Sequence, residues 1–468
     1  MLKESFFRNK RITVFGLGLN TGGIGTVKFL AEQGAREIIV TDIKNRVELN
    51  ASLEKLAKYK NVSYILGQHR SEDFTNVDMV IKNPVIPWTN EYVKLAEKHK
   101  VPVEMDSSIF FALCKAPIIG ITGTKGKTTT ASLCAHILEQ TKKRVIRIGI
   151  GQIGVLWNFS KITSDSVVVF ELSSWRLSAL GRIKKSPSVA VLTNIYPDHL
   201  NYYKTMEAYI SDKKNIFSFQ KSKDIVVANF DDEIVRAMAH DAKGTVIWFS
   251  QNRKIGGDGA WVKNEKIYVR KQGEEKELMS LSQVPIGGKH NIENVLAAVA
   301  AVVGYGLTFK QIAYGVESFS VLPHRLEYVG EKNDVRYYND TTATIPESVI
   351  AALRFFSEPV ILIAGGSDKR LEFSALAKEI LKRSKGLILF KGEATEKLLQ
   401  ALKNKLPLKR KDCVFEMVES MDKAVELASQ CAEVGDVVLL SPGAASFGIF
   451  QNEFDRGDQF RKAVKELP

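Results

Sequence analysis

Residues 118–130 read Ile118-Ile119-Gly120-Ile121-Thr122-Gly123-Thr124-Lys125-Gly126-Lys127-Thr128-Thr129-Thr130. An apolar, β-branched run passes into a glycine loop and then into residues that open a helix, so the stretch reads as strand, phosphate-binding turn and helix. The common loop G-x-x-x-x-G-K-[ST] asks for glycine five residues before Gly126, where Ile121 stands, so that pattern fails. What remains is the tighter Gly123-Thr124-Lys125-Gly126-Lys127-Thr128-Thr129. Its glycines let backbone N–H groups face an anion, the helix adds its positive N-terminus, Lys127 can reach outer phosphates, and Thr128 can ligate magnesium. Turn chemistry alone accounts poorly for Gly-Lys-Thr between an apolar strand and a helix.

Outward from this loop the chain alternates. Before it, Ile12–Phe15, a helical stretch near Gly25–Gln33 and Ile38–Asp42 make a strand, helix, strand unit, with further strands at Ser63–Leu66 and Asp78–Ile81, and a break at Lys115-Ala116-Pro117. After it, strands are predicted at Val145–Ile148, Val167–Phe170 and Val189–Leu192. Residues 245–280 change character: Val246–Phe249, Ala260–Val262 and Lys266–Val269 read as antiparallel hairpins forming a small β insertion beside the main sheet. A helix follows from Asn291 to Gly304. Beyond a second boundary near Phe319–Arg325, strands at Val335–Tyr338, Val360–Ala364, Gly386–Phe390 and Val437–Leu440 alternate with helices. Three α/β domains are expected, and 468 residues suit that number.

Composition excludes several classes. Hydrophobic residues at 45% and charged residues at 25% are ordinary for a globular protein. The net charge of +13, from 66 basic and 53 acidic residues, is spread along the chain without aromatic-interleaved basic runs. Anionic small substrates are therefore expected, and no nucleic acid. Cys114, Cys134, Cys413 and Cys431 form no C-x-x-C pair, which removes metal and disulfide frameworks. The longest apolar run, Val295–Val303, is too short to span a bilayer, and the first residues carry charges where a signal core needs aliphatics. A cytoplasmic protein without membrane attachment is expected.

Other candidate residues fall at strand ends. Gly16-Leu17-Gly18-Leu19-Asn20-Thr21 follows the first strand, and Asp42 closes the next. The third position of G-x-G-x-x-G falls on Thr21, so a nicotinamide site, a nucleotide-sugar site and a structural turn all stay open. Glu171 ends the strand 167–170, where a magnesium ligand belongs, and His199 stands at the same sheet edge. Lys213 and Lys214 lie in a helical segment.

Taken together, Gly123–Thr129, Glu171-Leu172-Ser173-Ser174, Asp198-His199, Gly288-Lys289-His290-Asn291-Ile292-Glu293-Asn294, Leu322-Pro323-His324-Arg325 and Asn339-Asp340-Thr341 occur in the order seen in the Mur ligases, which the chain resembles over nearly its whole length. These are ATP-dependent amino-acid ligases of peptidoglycan precursor synthesis, related to folylpolyglutamate synthetase. The short first domain, Gly365–Lys369 and Ser441–Phe447 resemble the members that add glutamate to UDP-N-acetylmuramoyl-L-alanine. The diaminopimelate-adding Asp-Asn-Pro-Arg motif is absent.

The resemblance implies a Rossmann-like UDP-sugar domain over 1–114, a P-loop ATP domain over 115–321 and a Rossmann-like domain over 322–468 that binds the amino acid and part of ATP. It implies an acyl-phosphate mechanism: ATP phosphorylates the alanine carboxylate, and the amine of D-glutamate attacks. Lys127, His199 and Lys213 would be catalytic. Gly123, Thr124, Lys125, Gly126, Lys127, Thr128, Thr129, Asn294, Arg325 and Asp340 would hold ATP, with Asn294 on adenine and Asp340 on ribose. Thr128, Glu171, His199 and Lys213 would hold two magnesium ions, Lys213 as a carbamate. The choice of Lys213 rests on its place four residues after Tyr209, with Lys214 the alternative. Gly18, Asn20, Asp42, Asn83 and Gln152 would meet the UDP-sugar, and Thr344, Lys369, Ser446 and Phe447 the glutamate. Departures from the family pattern fall at Asn20-Thr21, Asn83-Pro84-Val85, Gln152, Arg176 and Glu453-Phe454. A monomer is expected. Rivals are a relative with another acceptor and a P-loop protein without ligase chemistry.

Overall fold

The computed structural model describes residues 3–19, 21–150, 153–286, 288–320, 323–368, 371–403, 415–446 and 448–467. Chain contacts divide it into two compact units, Met1–Val284 with Asn291–Phe319, and Pro285–His290 with Ser320–Pro468.

The first unit holds two sheets. β1 (Arg11–Phe15), β2 (Glu37–Asp42), β3 (Val62–Leu66), β4 (Met79–Lys82) and β5 (Val103–Glu104) form an all-parallel sheet in the order β3-β2-β1-β4-β5. Ile12, Ile38 and Met79 stand in register across it and are buried, the continuous apolar pattern of a sheet covered on both faces. Strand order reverses between β1 and β4, so the crevice of this sheet opens at their C-terminal ends.

The second sheet takes in β6 (Ile118–Thr122), β7 (Arg144–Ile148), β8 (Ser166–Glu171), β9 (Val189–Leu192), β10 (Ile225–Asn229), β11 (Thr245–Ser250), β12 (Gly259–Lys263), β13 (Lys266–Lys271) and β14 (Glu274–Ser280). Its order is β14-β13-β12-β11-β10-β9-β6-β8-β7, which puts β6 between β9 and β8. Two expectations are corrected here. Val246–Phe249 is no hairpin: β11 runs parallel to both β10 and β12, because β10 and the helix Glu233–Ala239, which the sequence reading did not assign, form a further crossover. Only β12 to β14 are antiparallel, and they extend the main sheet at its edge rather than standing beside it. The pattern over 245–249 alternates with period two in either case, so periodicity carries no information on strand direction.

The other unit contains β15 (Glu327–Lys332), β16 (Val335–Asn339), β17 (Val360–Gly365), β18 (Ser384–Phe390), β19 (Phe415–Val418) and β20 (Val437–Leu440), ordered β15-β16-β20-β17-β18-β19. Every pair is parallel except β15 with β16. Helices Pro346–Phe355, Ser374–Arg383, Glu393–Lys403, Met421–Cys431 and Glu453–Glu466 supply apolar faces to the two cores on either side of this sheet. The molecule is thus a three-domain α/β protein whose first sheet is all parallel and whose central and C-terminal sheets are mixed at one edge.

Candidate active site

The loop after β6 is tied down from one neighbour. Asn194, just beyond β9, accepts Thr124 N–H on its carbonyl (2.8 Å) and Lys125 N–H on Oδ1 (2.8 Å), while Thr193 Oγ1 donates to Lys125 O (2.6 Å). Gly126 sits at φ 82° as N-cap of the helix Lys127–Glu139, and a Cβ there would lie 2.0 Å from Asn294 Oδ1. Only glycine permits both the backbone and that approach. Asn294, on the helix Lys289–Val303, is buried and also receives Thr130 Oγ1 at 3.4 Å, so the adenine candidate abuts the phosphate candidate. Lys127 Nζ curls back to Gly123 O (3.0 Å) and Thr124 O (2.9 Å). Thr128 is half-buried in the first helical turn, and Thr129 is buried behind it.

Lys213 reaches the same loop from the helix Met206–Lys214, which Thr205 caps through a bond from Ala208 N–H. Its Nζ donates to Gly123 O at 2.8 Å, lies 3.5 Å from Thr122 Oγ1 and 4.7 Å from the Tyr209 ring centre, and the residue is only 1% exposed. Burial holds this amine well below the usual lysine range, and Lys127 pushes the same way. Lys214 turns outward to Asp241 at 2.5 Å. Tyr209 OH meets Thr124 Oγ1 at 3.2 Å, so one helical face presents both Tyr209 and Lys213 to the loop.

Glu171 ends β8 in register with Ile121, at the carboxyl edge beside the loop. His199 occupies left-handed backbone at φ 54°, with its ring 4.7 Å from that of Trp175 and Nε2 3.9 Å from Asp198. Asp198 also lies 3.7 Å from Lys125 Nζ. Among the described residues no three His, Cys, Asp or Glu converge as a metal cage. Thr128 hydroxyl and Glu171 carboxylate are hard oxygen donors, and magnesium is commonly held by one or two such groups together with phosphates and waters. The donor set therefore fits magnesium bound with nucleotide.

In the first sheet the substrate candidates cluster at the crevice. Asp42 accepts Gly18 N–H on Oδ2 and Lys44 N–H on Oδ1, each at 2.9 Å, so its carboxylate shapes two loops. Asn83 donates to Gly16 O at 3.2 Å, closing the glycine loop from β4. Asn20 and Gln152 lie outside the described residues. The sequence reading missed Lys82, the buried last residue of β4: its Nζ donates to Ile86 O (2.7 Å) and sits 4.2 Å from the Trp88 ring. Burial lowers it to about 7, against the pull of Asp106. It also missed Asp106, bound bidentately by Arg176 at 3.5 and 3.2 Å, and the clamp formed by Thr193 and Asn194, whose polar pair at a strand's carboxyl end was the available signal.

In the C-terminal unit, Asp340 is buried beyond β16. It accepts Ser441 Oγ at 3.0 Å and Leu326 N–H at 3.2 Å, and burial raises its carboxyl to about 7. Arg325 lies between His324 (φ 67°) and Leu326 (φ 45°), a turn of left-handed residues. Thr344 precedes the helix Pro346–Phe355. Ser446 is buried next to the bridge that pairs Ser367 with Ala445. Lys369 and Phe447 lie outside the described residues.

Comparison with known proteins bears on the whole chain. Residues 121–302 match the Mur ligase middle domain, 324–443 the Mur ligase glutamate ligase domain, and 10–104 the MurD-like N-terminal domain of Mur ligases. The UDP-N-acetylmuramoylalanine–D-glutamate ligase of Roseiflexus sp. (strain RS-1) is 41% identical over 98% of this chain and 99% of its own length. The like-named protein of Clostridium tetani is 35% identical over 99% of this chain and 98% of its own. Among solved structures, the UDP-N-acetylmuramate-alanine ligase of Thermotoga maritima superposes with TM-score 0.63 at 17% identity, covering 97% of this chain and 99% of that one. The MurF ligase of Thermotoga maritima in complex with ADP gives 0.56 at 18%, covering 100% and 97%. At those identities the structures show a shared fold.

Proposed function

The chain belongs to the Mur ligase family, and from that membership we propose that it uses ATP to add D-glutamate to UDP-N-acetylmuramoyl-L-alanine in peptidoglycan precursor synthesis. The observation that carries this reading is the 41% identity to a D-glutamate ligase over essentially the full length of both chains. The loop geometry supports the ATP half of it.

In this reading Lys127 exchanges the neutral carbonyls of Gly123 and Thr124 for the outer phosphate oxygens of ATP, where charge accumulates as the alanine carboxylate is phosphorylated. Thr128 and Glu171 would hold one magnesium ion, and His199 with carbamylated Lys213 would help to hold a second. Magnesium, when bound, offsets charge on the phosphoryl oxygens. Lys213 is suited to carbamylation because burial disfavours its charged form, and it is the neutral amine that adds carbon dioxide, releasing one proton. Asn294 would meet adenine, Asp340 ribose, and Arg325 phosphate. Gly18, Asn20, Asp42, Asn83 and Gln152 would bind the UDP-sugar, and Thr344, Lys369, Ser446 and Phe447 the glutamate. The proposal places the enzyme in the cytoplasm as a monomer, and no helix among the described residues is long and apolar enough to cross a membrane.

Phosphate release with UDP-N-acetylmuramoyl-L-alanine, ATP and a panel of amino acids tests the reading. Turnover should require D-glutamate. Turnover with another amino acid, or with none, overturns it.

A further inference from the structure

Arg456 is a fully buried arginine, 0% exposed, on the helix Glu453–Glu466. Its Nε donates to Thr341 Oγ1 and its Nη2 to Thr341 O, each at 2.9 Å, while Nη1 and Nη2 both point to Ala444 O at 3.4 Å. Thr341 Oγ1 donates onward to Glu453 O at 2.8 Å, so helix, threonine and guanidinium form one network. No carboxylate lies within salt-bridge distance among the described residues, although Glu453 acts on the guanidinium from further away. A buried cation held only by neutral oxygens is costly, and an apolar side chain of similar volume commonly gives a more stable fold.

The two groups it joins lie on different loops. Thr341 follows Asp340 beyond β16, and Ala444 stands two residues before Ser446 beyond β20. These strands are parallel neighbours, with Asn339 opposite Leu440, so both loops leave the same carboxyl edge, where α/β sheets bind ligands. Gly443 N–H to Ala343 O at 2.7 Å and Ser441 Oγ to Asp340 join the same loops, and the guanidinium completes that set. Its planar fork can bond both loops at once, which a lysine ammonium cannot reproduce.

We propose that Arg456 is a positioning residue that fixes the spacing between the Asp340–Thr344 loop and the Ser441–Ser446 loop, and thereby couples the nucleotide contact at Asp340 to the amino-acid contacts at Thr344 and Ser446. The ligand identities rest on the function proposed above, whereas the spacing does not.

Arg456→Lys and Arg456→Ala in the full chain test this. The KM values for ATP and glutamate should rise together by about tenfold or more, since a displacement near 1 Å suffices for such losses, while the KM for the UDP-sugar stays unchanged. Hydrogen exchange should accelerate in 340–344 and 442–446 but not in β17 or β18, and added guanidinium should restore Arg456→Ala in part. Unchanged KM values with kcat falling in step with the folded fraction overturn the proposal, as does exchange that rises evenly across the unit. If the wild type shows no glutamate-dependent turnover, the functional reading fails instead. Exchange in Arg456→Lys then decides the positioning role alone, with unchanged rates in both loops overturning it.

Discussion

Replacing Asp340 with asparagine should stabilise the protein at high pH while weakening its nucleotide site. The carboxyl is enclosed beyond β16, and burial raises it from 3.8 to about 7 against the opposing bonds from Ser441 and Leu326 and the charge of Arg325. A folded state that binds a proton more tightly than the unfolded chain keeps the associated stability below the unfolded value and loses it as pH climbs through the folded one. The interval from 3.8 to about 7 corresponds to a ceiling of ~4 kcal/mol at 1.36 kcal/mol per pKa unit. Asparagine keeps an acceptor for Leu326 N–H, and the Ser441 hydroxyl can turn to accept from its amide, so the substitution removes charge with little change of shape. Relative to the wild type, Asp340→Asn should gain ~2–3 kcal/mol between about pH 5 and about pH 8. Hydrogen exchange of peptides from β16, β17 and β20, measured for both proteins across that range, localises the effect to this unit. A difference that does not vary with pH would refute the reasoning, because it would mean that Asp340 is already ionised at the acid end in the folded state. Loss of ADP affinity in the same variant is the expected functional counterpart.

Lys213→Ala should lower turnover by on the order of 10²–10³-fold, the scale seen when one charge-stabilising group is lost, while Lys214→Ala should stay within about twofold because its exposed pair with Asp241 contributes little. Steady-state phosphate release measures both, and the reverse ranking would move the carbamylation site by one residue. Gly126→Ala forces a side chain into left-handed backbone and against Asn294, and should cost ~1–3 kcal/mol from the strained conformation alone together with ATP affinity. Thermal unfolding with and without ATP reads the two losses separately, and retained ATP stabilisation would contradict the loop assignment.

The strands were legible where both faces are buried, since Val189–Leu192 and Val437–Leu440 read as unbroken apolar runs and Ile118–Thr122 is apolar up to its closing threonine. The phosphate loop was legible because its chemistry is local: glycine conformations, a lysine and a hydroxyl at fixed spacing before a helix. β10 was overlooked, and β11 was assigned the wrong direction, because strand pairing depends on which edge a neighbour leaves open. The clamp of Thr193 and Asn194 on the loop spans about seventy residues of sequence and the pull of Asp106 on Lys82 spans 24, and neither leaves a periodic trace.

By itself the sequence determined the α/β alternation, the departure of the loop from the common phosphate pattern, and the ordered motifs that resemble Mur ligases, all properties carried by residues close together in the chain. Only the tertiary structure decided that Lys213 is buried against Gly123 while Lys214 faces Asp241, that Asp340 sits where ionisation is unfavourable, and that Arg456 bridges the loops beyond β16 and β20. Each of these depends on solvent exclusion and on partners brought together by folding, and desolvation, unlike spacing, is set by what surrounds a group in space.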